Sequence, residues 1–239
     1  AKGKPVVLLG LMDETWEGWT RFSRARLVAE HGERRIHVTN TSDVSAYKDK
    51  EKNAARRGVA REMSLAEFIE SQVVGSSDSP KADPMYLINV DQSIATGSYQ
   101  HPEVFGKPGW RFGWDAARRH RRALFSLGPA GSGAPFHAHF AAYNALFYGS
   151  KHWFLFPPHV AHMAPTRTTV KKWFDTIYGD GPYSALEYIQ RPGEILFVPE
   201  LWTHGVINLE PTVSVAVEMG WDRFVSEAEY AHEVVARLQ

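Results

Sequence analysis

The sequence predicts a mainly β protein, a jelly roll flanked by helices at its amino- and carboxy-terminal ends. Three observations point there. A succession of β-looking runs fills residues 123–219, bounded by Gly- and Pro-containing turns. The chain has 239 residues, 44% hydrophobic and 13% aromatic with eight Trp, which is enough to pack one β core. The third is the segment Phe136-His137-Ala138-His139, answered about sixty-five residues later by Trp202-Thr203-His204. A ligand pair early in one core strand and a last ligand on a strand returning beside it is the layout of a jelly-roll metal site. One domain is expected over 1–239: strands, helices and loops over 1–122, the jelly-roll core over 123–219, and a terminal helix over 220–239.

Taken in order, Pro5-Val6-Val7-Leu8-Leu9 reads as an opening strand. Residues 16–30 read as a helix with Trp19, Phe22, Leu27 and Val28 apolar and Gly32 as its stop. A short strand follows at 35–39. Residues 40–62, carrying Lys48-Asp49-Lys50-Glu51-Lys52 and Arg56-Arg57, form a charged, solvated connection. Ser64-Leu65-Ala66-Glu67 is a capping box opening a helix to about 72. Residues 76–80 are a loop and 85–89 a strand. Residues 102–122 are irregular and border the mouth of the site; Arg118-Arg119-His120-Arg121-Arg122 reads as a solvated helix face sooner than as an acidic-substrate contact. Core strands follow at 123–127, 135–139, 145–148, 152–156, 188–191, 195–198, 205–209 and 213–218. His159 and His162 fall in a loop after Pro157-Pro158 and are not ligands. A second capping box, Ser226-Glu227-Ala228-Glu229, starts the terminal helix, whose apolar stripe is Phe224, Ala228, Ala231, Val235 and Leu238.

Composition excludes several functions. The formal net charge is zero, which argues against general nucleic-acid or anionic-membrane binding. With no Cys there are no disulfides, thiolate zinc sites, iron–sulfur clusters or thiol catalysis. No run approaches the ~20 apolar residues of a membrane-spanning helix. The chain opens on Ala1, as a trimmed or mature form does, and Asn40-Thr41-Ser42 fits the N-glycosylation acceptor pattern in a polar loop.

The histidines carry the chemistry. In a strand, alternate side chains share a face, so His137 and His139 project to one side, ~7 Å apart along the chain. Imidazole is the commonest protein ligand for iron and zinc, and a distant third histidine, His204, completes one face of a metal.

The blocks around these residues resemble a known family. Gly128 to His139, Asn144-Ala145-Leu146-Phe147-Tyr148-Gly149-Ser150-Lys151-His152-Trp153-Phe154-Leu155-Phe156-Pro157-Pro158, and Pro192-Gly193-Glu194 through Trp202-Thr203-His204-Gly205-Val206-Ile207-Asn208-Leu209 resemble a JmjC domain of the small hydroxylase-type branch. The resemblance implies a cupin-like double-stranded β-helix that binds Fe(II) and 2-oxoglutarate and uses O2 to hydroxylate or demethylate a protein substrate. Position by position, His137 and His204 match the metal-binding histidines. Lys151 matches the lysine on the distal carboxylate of 2-oxoglutarate, Asn144 the pocket asparagine, and Tyr86 a co-substrate tyrosine. The stripe of the terminal helix reads first as packing on its own domain, while the resemblance admits a homodimer built on that helix and the endoplasmic-reticulum lumen as compartment. Elementary electrostatics agrees about Lys151. A dianion in a narrow apolar barrel needs a cation, and this lysine is flanked by Phe147, Tyr148, Trp153 and Phe154.

Two positions depart from the family pattern. His139 stands where active members carry Asp or Glu, so the metal's charge is left uncompensated until co-substrate binds. Ala216 stands where related hydroxylases place a Thr on 2-oxoglutarate, with Ser214, two residues back on the same face, as its substitute. Three functions therefore stay open: a 2-oxoglutarate oxygenase hydroxylating a protein side chain, a pseudo-oxygenase serving as a binding or regulatory module, and a cupin-like enzyme using another metal, which leaves Lys151 unexplained.

Overall fold

In the computed structural model of the chain, the described residues are 3–42, 60–75, 82–89, 94–105, 110–112, 123–165, 168–179 and 184–221. Among them two antiparallel sheets face one another. The larger runs β1 (Val6–Leu8), β10 (Ile195–Val198), β7 (Ala142–Tyr148), β12 (Thr212–Trp221), β6 (Ala123–Gly128), β4 (Met85–Asn89), β2 (Arg35–Asn40), β3 (Ala60–Ser64), with β5 (Trp110–Phe112) also pairing β12. The smaller is β11 (Thr203–Asn208), β8 (Lys151–Phe156), β9 (Leu186–Gln190). The mainly β jelly roll expected from the sequence is what forms.

The sequence of the central strands follows from their being covered on both faces. β6, β7 and β8 read as nearly continuous apolar runs and are almost wholly buried, unlike the half-polar alternation of a sheet with one wet face. On β8, Trp153 and Leu155 face inward to a cluster with Leu196, Val198 and Val206 between the sheets. Phe154 and Phe156 point the other way, under α4 (Val170–Thr176), where Trp173 meets both edge-on. The outer face of the larger sheet is covered by α1 (Gly18–Arg21), α2 (Arg24–His31) and α3 (Leu65–Phe68), which continues as a π-helical stretch, Ile69–Val74. Phe22 seats there against Phe125 and Phe147, at ring separations of 5.2 and 4.9 Å. Gly18 makes this approach possible, since a Cβ there would lie 2.3 Å from the Phe147 ring.

Several elements differ from the sequence-based expectation. The helix expected over 16–30 is two helices, because Ser23 is extended (φ −61°, ψ 146°) and starts α2 by accepting from Leu27 N–H. Burial of Phe22 at the joint outweighs continuous helical periodicity. Residues 60–62, expected in a charged loop, belong to β3, and 110–112, expected irregular, form β5. Ser64 caps the helix as expected, its hydroxyl accepting from Glu67 N–H, which is the N-cap half of the capping box. His159 and His162 lie on a short 3-10 helix after Pro157. Helix α4, which the sequence reading missed, is opened by Thr169 accepting from Lys172 N–H. The strand expected over 135–139 is reduced to a single bridge between His137 and His204. The charged segment 43–59, the Arg118–Arg122 cluster and residues 222–239, where a terminal helix is expected, lie outside the described residues. No helix among the described residues is long and apolar enough to cross a membrane.

Candidate metal centre and its anion pocket

The irregular segment before β7 exists because it must run beside β11 without the means to be a regular strand. Gly131 N–H donates to Asn208 O, Val206 N–H to Ala134 O, and His137 and His204 exchange both backbone bonds, at 3.0 and 2.9 Å. Between the Ala134–Val206 and His137–His204 pairings, three steps on this segment face two on β11, as in a β-bulge. Pro135 has no N–H to give to a ladder. Gly133 permits the contact: a Cβ there would sit 2.0 Å from Val206 O. The bulge brings His137 and His139 round to His204.

One ring nitrogen from each of His137, His139 and His204 lies within 4.8 Å of the other two. The ring centroids stand 4.3 Å (His137–His204), 4.8 Å (His139–His204) and 5.2 Å (His137–His139) apart. Each Nδ1 faces a backbone carbonyl: Pro135 O at 2.7 Å, Phe140 O at 2.6 Å and Trp202 O at 2.9 Å. A carbonyl only accepts, so each Nδ1 carries the proton and each Nε2 presents a lone pair. Three imidazoles fixed in one tautomer by backbone acceptors are a donor set suited to a divalent transition metal. His204 is buried, and the other two are partly so.

The same three histidines border a cavity of about 100 Å³ between the sheets. Ile88 (β4), Leu124 (β6), Trp153 (β8), Val198 (β10), Val206 (β11) and Ala216 (β12) give it apolar walls, and among its described lining residues none is Asp or Glu. Its cation is Lys151, 1% exposed. Lys151 Nζ donates to Tyr86 Oη at 3.2 Å and Asn208 Oδ1 at 3.0 Å, and lies 5.5 Å from the Tyr86 ring centroid. No described carboxylate pairs with it, so a buried positive charge rests on neutral partners alone. Asn208 is steadied in turn by donating to Ser132 Oγ, which donates to Pro129 O.

Asn144 also lines the cavity, and its Oδ1 is buried without a hydrogen-bond partner. A buried cation without a carboxylate is what a small anion would satisfy, while the Asn144 oxygen calls for a donor unless the amide is turned to present its N–H to the cavity. Tyr86 lines the cavity as well. Ser214 is fully buried, 2.6 Å from Ser126 Oγ and accepting from Asn144 Nδ2 at 3.2 Å; Ser126 and Ala216 line the cavity. Asn208 and Ser132 escaped the sequence reading. The signal for Asn208 was its place four residues after His204, on the same face of a strand.

The sequence model of a family described as cupin-like domain matches residues 1–227. The chain is 29% identical over 229 residues to JmjC domain-containing protein 8 of Homo sapiens, covering 91% of this chain and 76% of that one. It is 28% identical over 243 residues to the bifunctional arginine demethylase and lysyl-hydroxylase psr-1 of Caenorhabditis elegans (88% and 54%). It is likewise 28% identical over 207 residues to the 2-oxoglutarate and iron-dependent oxygenase JMJD4 of Danio rerio (80% and 47%).

Proposed function

The chain belongs to the cupin-like domain family, and on that premise we propose that it is a JmjC-type Fe(II)- and 2-oxoglutarate-dependent oxygenase that hydroxylates a side chain of a protein substrate. The observation that carries this is a single cavity holding three imidazoles with inward lone pairs and, further along the same pair of strands, a buried lysine without a carboxylate. Lys151 pairs across to Asn208, four residues from His204, or ~13 Å along β11 at ~3.3 Å per residue. Side chains reaching inward from both ends leave room for a short dicarboxylate. The relatives named for iron, 2-oxoglutarate and lysyl or arginyl substrates support the same chemistry.

Each residue then has a role. His137, His139 and His204 hold Fe(II) through Nε2. Lys151 takes the distal carboxylate of 2-oxoglutarate in a charge-assisted hydrogen bond, while Tyr86 turns its hydroxyl proton from solvent-free space onto the same oxygen. The Asn144 amide, turned about its last bond, gives an N–H to the ligand and accepts from Ser214. The apolar walls exclude water, which strengthens each of these contacts. Bound in this cavity, iron and 2-oxoglutarate would supply oxidation by O2, one oxygen atom entering the substrate C–H bond as a hydroxyl and the other entering succinate as 2-oxoglutarate loses CO2.

His139 and Ala216 favour a second reading, a pseudo-oxygenase that keeps metal and ligand binding and has lost turnover. One experiment separates the two: metal-loaded protein is titrated with 2-oxoglutarate in a calorimeter and then assayed for succinate release under O2. Binding with release supports the oxygenase, and binding without release supports the binding module. No binding to the metal-loaded protein refutes both.

A further inference from the structure

Three neutral imidazoles hold a divalent ion without offsetting any of its charge, and Lys151 adds a third positive charge to a cavity lined by no described Asp or Glu. A dianionic ligand offsets two of the three. A carboxylate stands one layer behind. Glu218 lies on β12 two residues beyond Ala216, and so on the same face of the strand as that cavity-lining residue. Its Oε1 is 4.0 Å from Nδ1 of His139, and the two side chains are only 24% and 18% exposed. The backbone fixes this neighbourhood: Glu218 pairs with Ala142 on β7, and Met219 N–H donates to Ala141 O at 2.7 Å, just past His139. The carboxylate thus lies near Nδ1, whose proton goes to Phe140 O, which leaves Nε2 as the nitrogen with a lone pair for a metal.

We propose that Glu218 is a positioning residue for the metal centre, supplying from behind His139 the negative charge that an all-histidine ligand set lacks. The inference rests on the metal reading above. At 4.0 Å the carboxylate is not the acceptor of the Nδ1 proton, which is Phe140 O, but its charge polarises the ring and makes Nε2 a stronger donor; groups behind metal-bound histidines typically matter by about 10–100-fold in affinity. The centre would then approach the charge of a two-histidine, one-carboxylate site with the carboxylate displaced from the metal to the back of a ligand.

The test is titration of the metal-free protein with Co(II), an air-stable stand-in for Fe(II), followed by calorimetry and by the visible absorption of the bound ion. Glu218→Gln, nearly isosteric, is expected to weaken Co(II) binding about tenfold or more. In a His139→Ala background the same change is expected to cost less than about threefold, because the ring that transmits the charge is gone. Glu218→Asp, which keeps the charge, is expected to retain most of the parent affinity. Glu218→Gln binding within about twofold of the parent, or an equal loss in the His139→Ala background, overturns the proposal. Should Glu218→Gln not fold, a folded Glu218→Asp protein that binds more than about tenfold weaker than the parent overturns it. A parent protein that binds no Co(II) refutes the metal centre itself, a separate failure.

Discussion

Replacing Lys151 by Met separates the cost of this residue from its use. The side chain is 1% exposed, its ammonium rests on one phenol and one amide oxygen, and no described carboxylate pairs with it. Burying an ion costs several kcal/mol even after relaxation. Two neutral-acceptor bonds to a charged donor return about 1.5–3 kcal/mol each, and the Tyr86 ring adds about 1–2. In the ligand-free protein the lysine is therefore close to break-even. Methionine fills similar space and removes the charge, but leaves Asn208 Oδ1 without its donor at a cost of about 1–3 kcal/mol. We expect the melting temperature of ligand-free Lys151→Met to change by no more than roughly 5 °C in either direction. Affinity for 2-oxoglutarate behaves differently, because the charge-assisted bond to its distal carboxylate is lost. At about 1.5–3 kcal/mol that is roughly a 10- to 150-fold weaker Kd. Calorimetric titration of metal-loaded protein reads the affinity, and differential scanning calorimetry the stability. A variant that melts far below the parent yet binds 2-oxoglutarate equally well would show Lys151 to be a structural cation.

Three further outcomes follow from the same structure. Gly18→Ala drives a methyl group to 2.3 Å from the Phe147 ring and 2.5 Å from Ser98 O; overpacking of this kind costs about 1–3 kcal/mol, read as a lower melting temperature, and an unchanged one would refute the close approach of α1. His139→Asp puts a carboxylate directly on the metal and is expected to tighten anaerobic Fe(II) binding about tenfold; weaker binding would mean that the Phe140 carbonyl and the ring behind it matter more than charge. Burial and the carboxylates of Glu187 and Glu194, hydrogen bonded to Tyr178 and Tyr188, push both phenols up to about 12. Since the folded state holds these protons more tightly than the unfolded chain, their contribution to stability is complete below pH ~10 and is lost as pH rises from ~10 toward ~12. Spectrophotometric titration should find Tyr178 and Tyr188 ionising late, as burial also makes Tyr148 do, with Tyr188→Phe removing one late step.

What the sequence determined by itself is what depends on residue type and near-neighbour spacing. His137, His139 and His204 were recognisable as a candidate ligand set because imidazole chemistry belongs to the side chain, and the structure brings one nitrogen of each within 4.8 Å of the other two. Lys151 stood out through the motif run around it, since a lysine amid Phe and Trp is by itself more often a surface residue with its head in water. The strands were legible because β6, β7 and β8 are buried on both faces, so their apolar runs are nearly continuous, interrupted by Ser126, Asn144 and Lys151. The Ser64 and Thr169 caps also act within three residues, although the second went unread. Tertiary structure decided the rest. Whether 16–30 is one helix or two depends on where Phe22 finds Phe125 and Phe147, a hundred residues and more away in sequence. Residues 135–139 have strand composition, yet Pro135 and the Gly133–Val206 contact turn them into a bulge, and that bulge is what closes the three histidines onto one point. Asn208 under Lys151, Ser214 under Asn144 and Glu218 behind His139 could be paired with their partners only by the register of β11 and β12. Register is a long-range property, set by the packing of two sheets, and no local pattern of residues carries it.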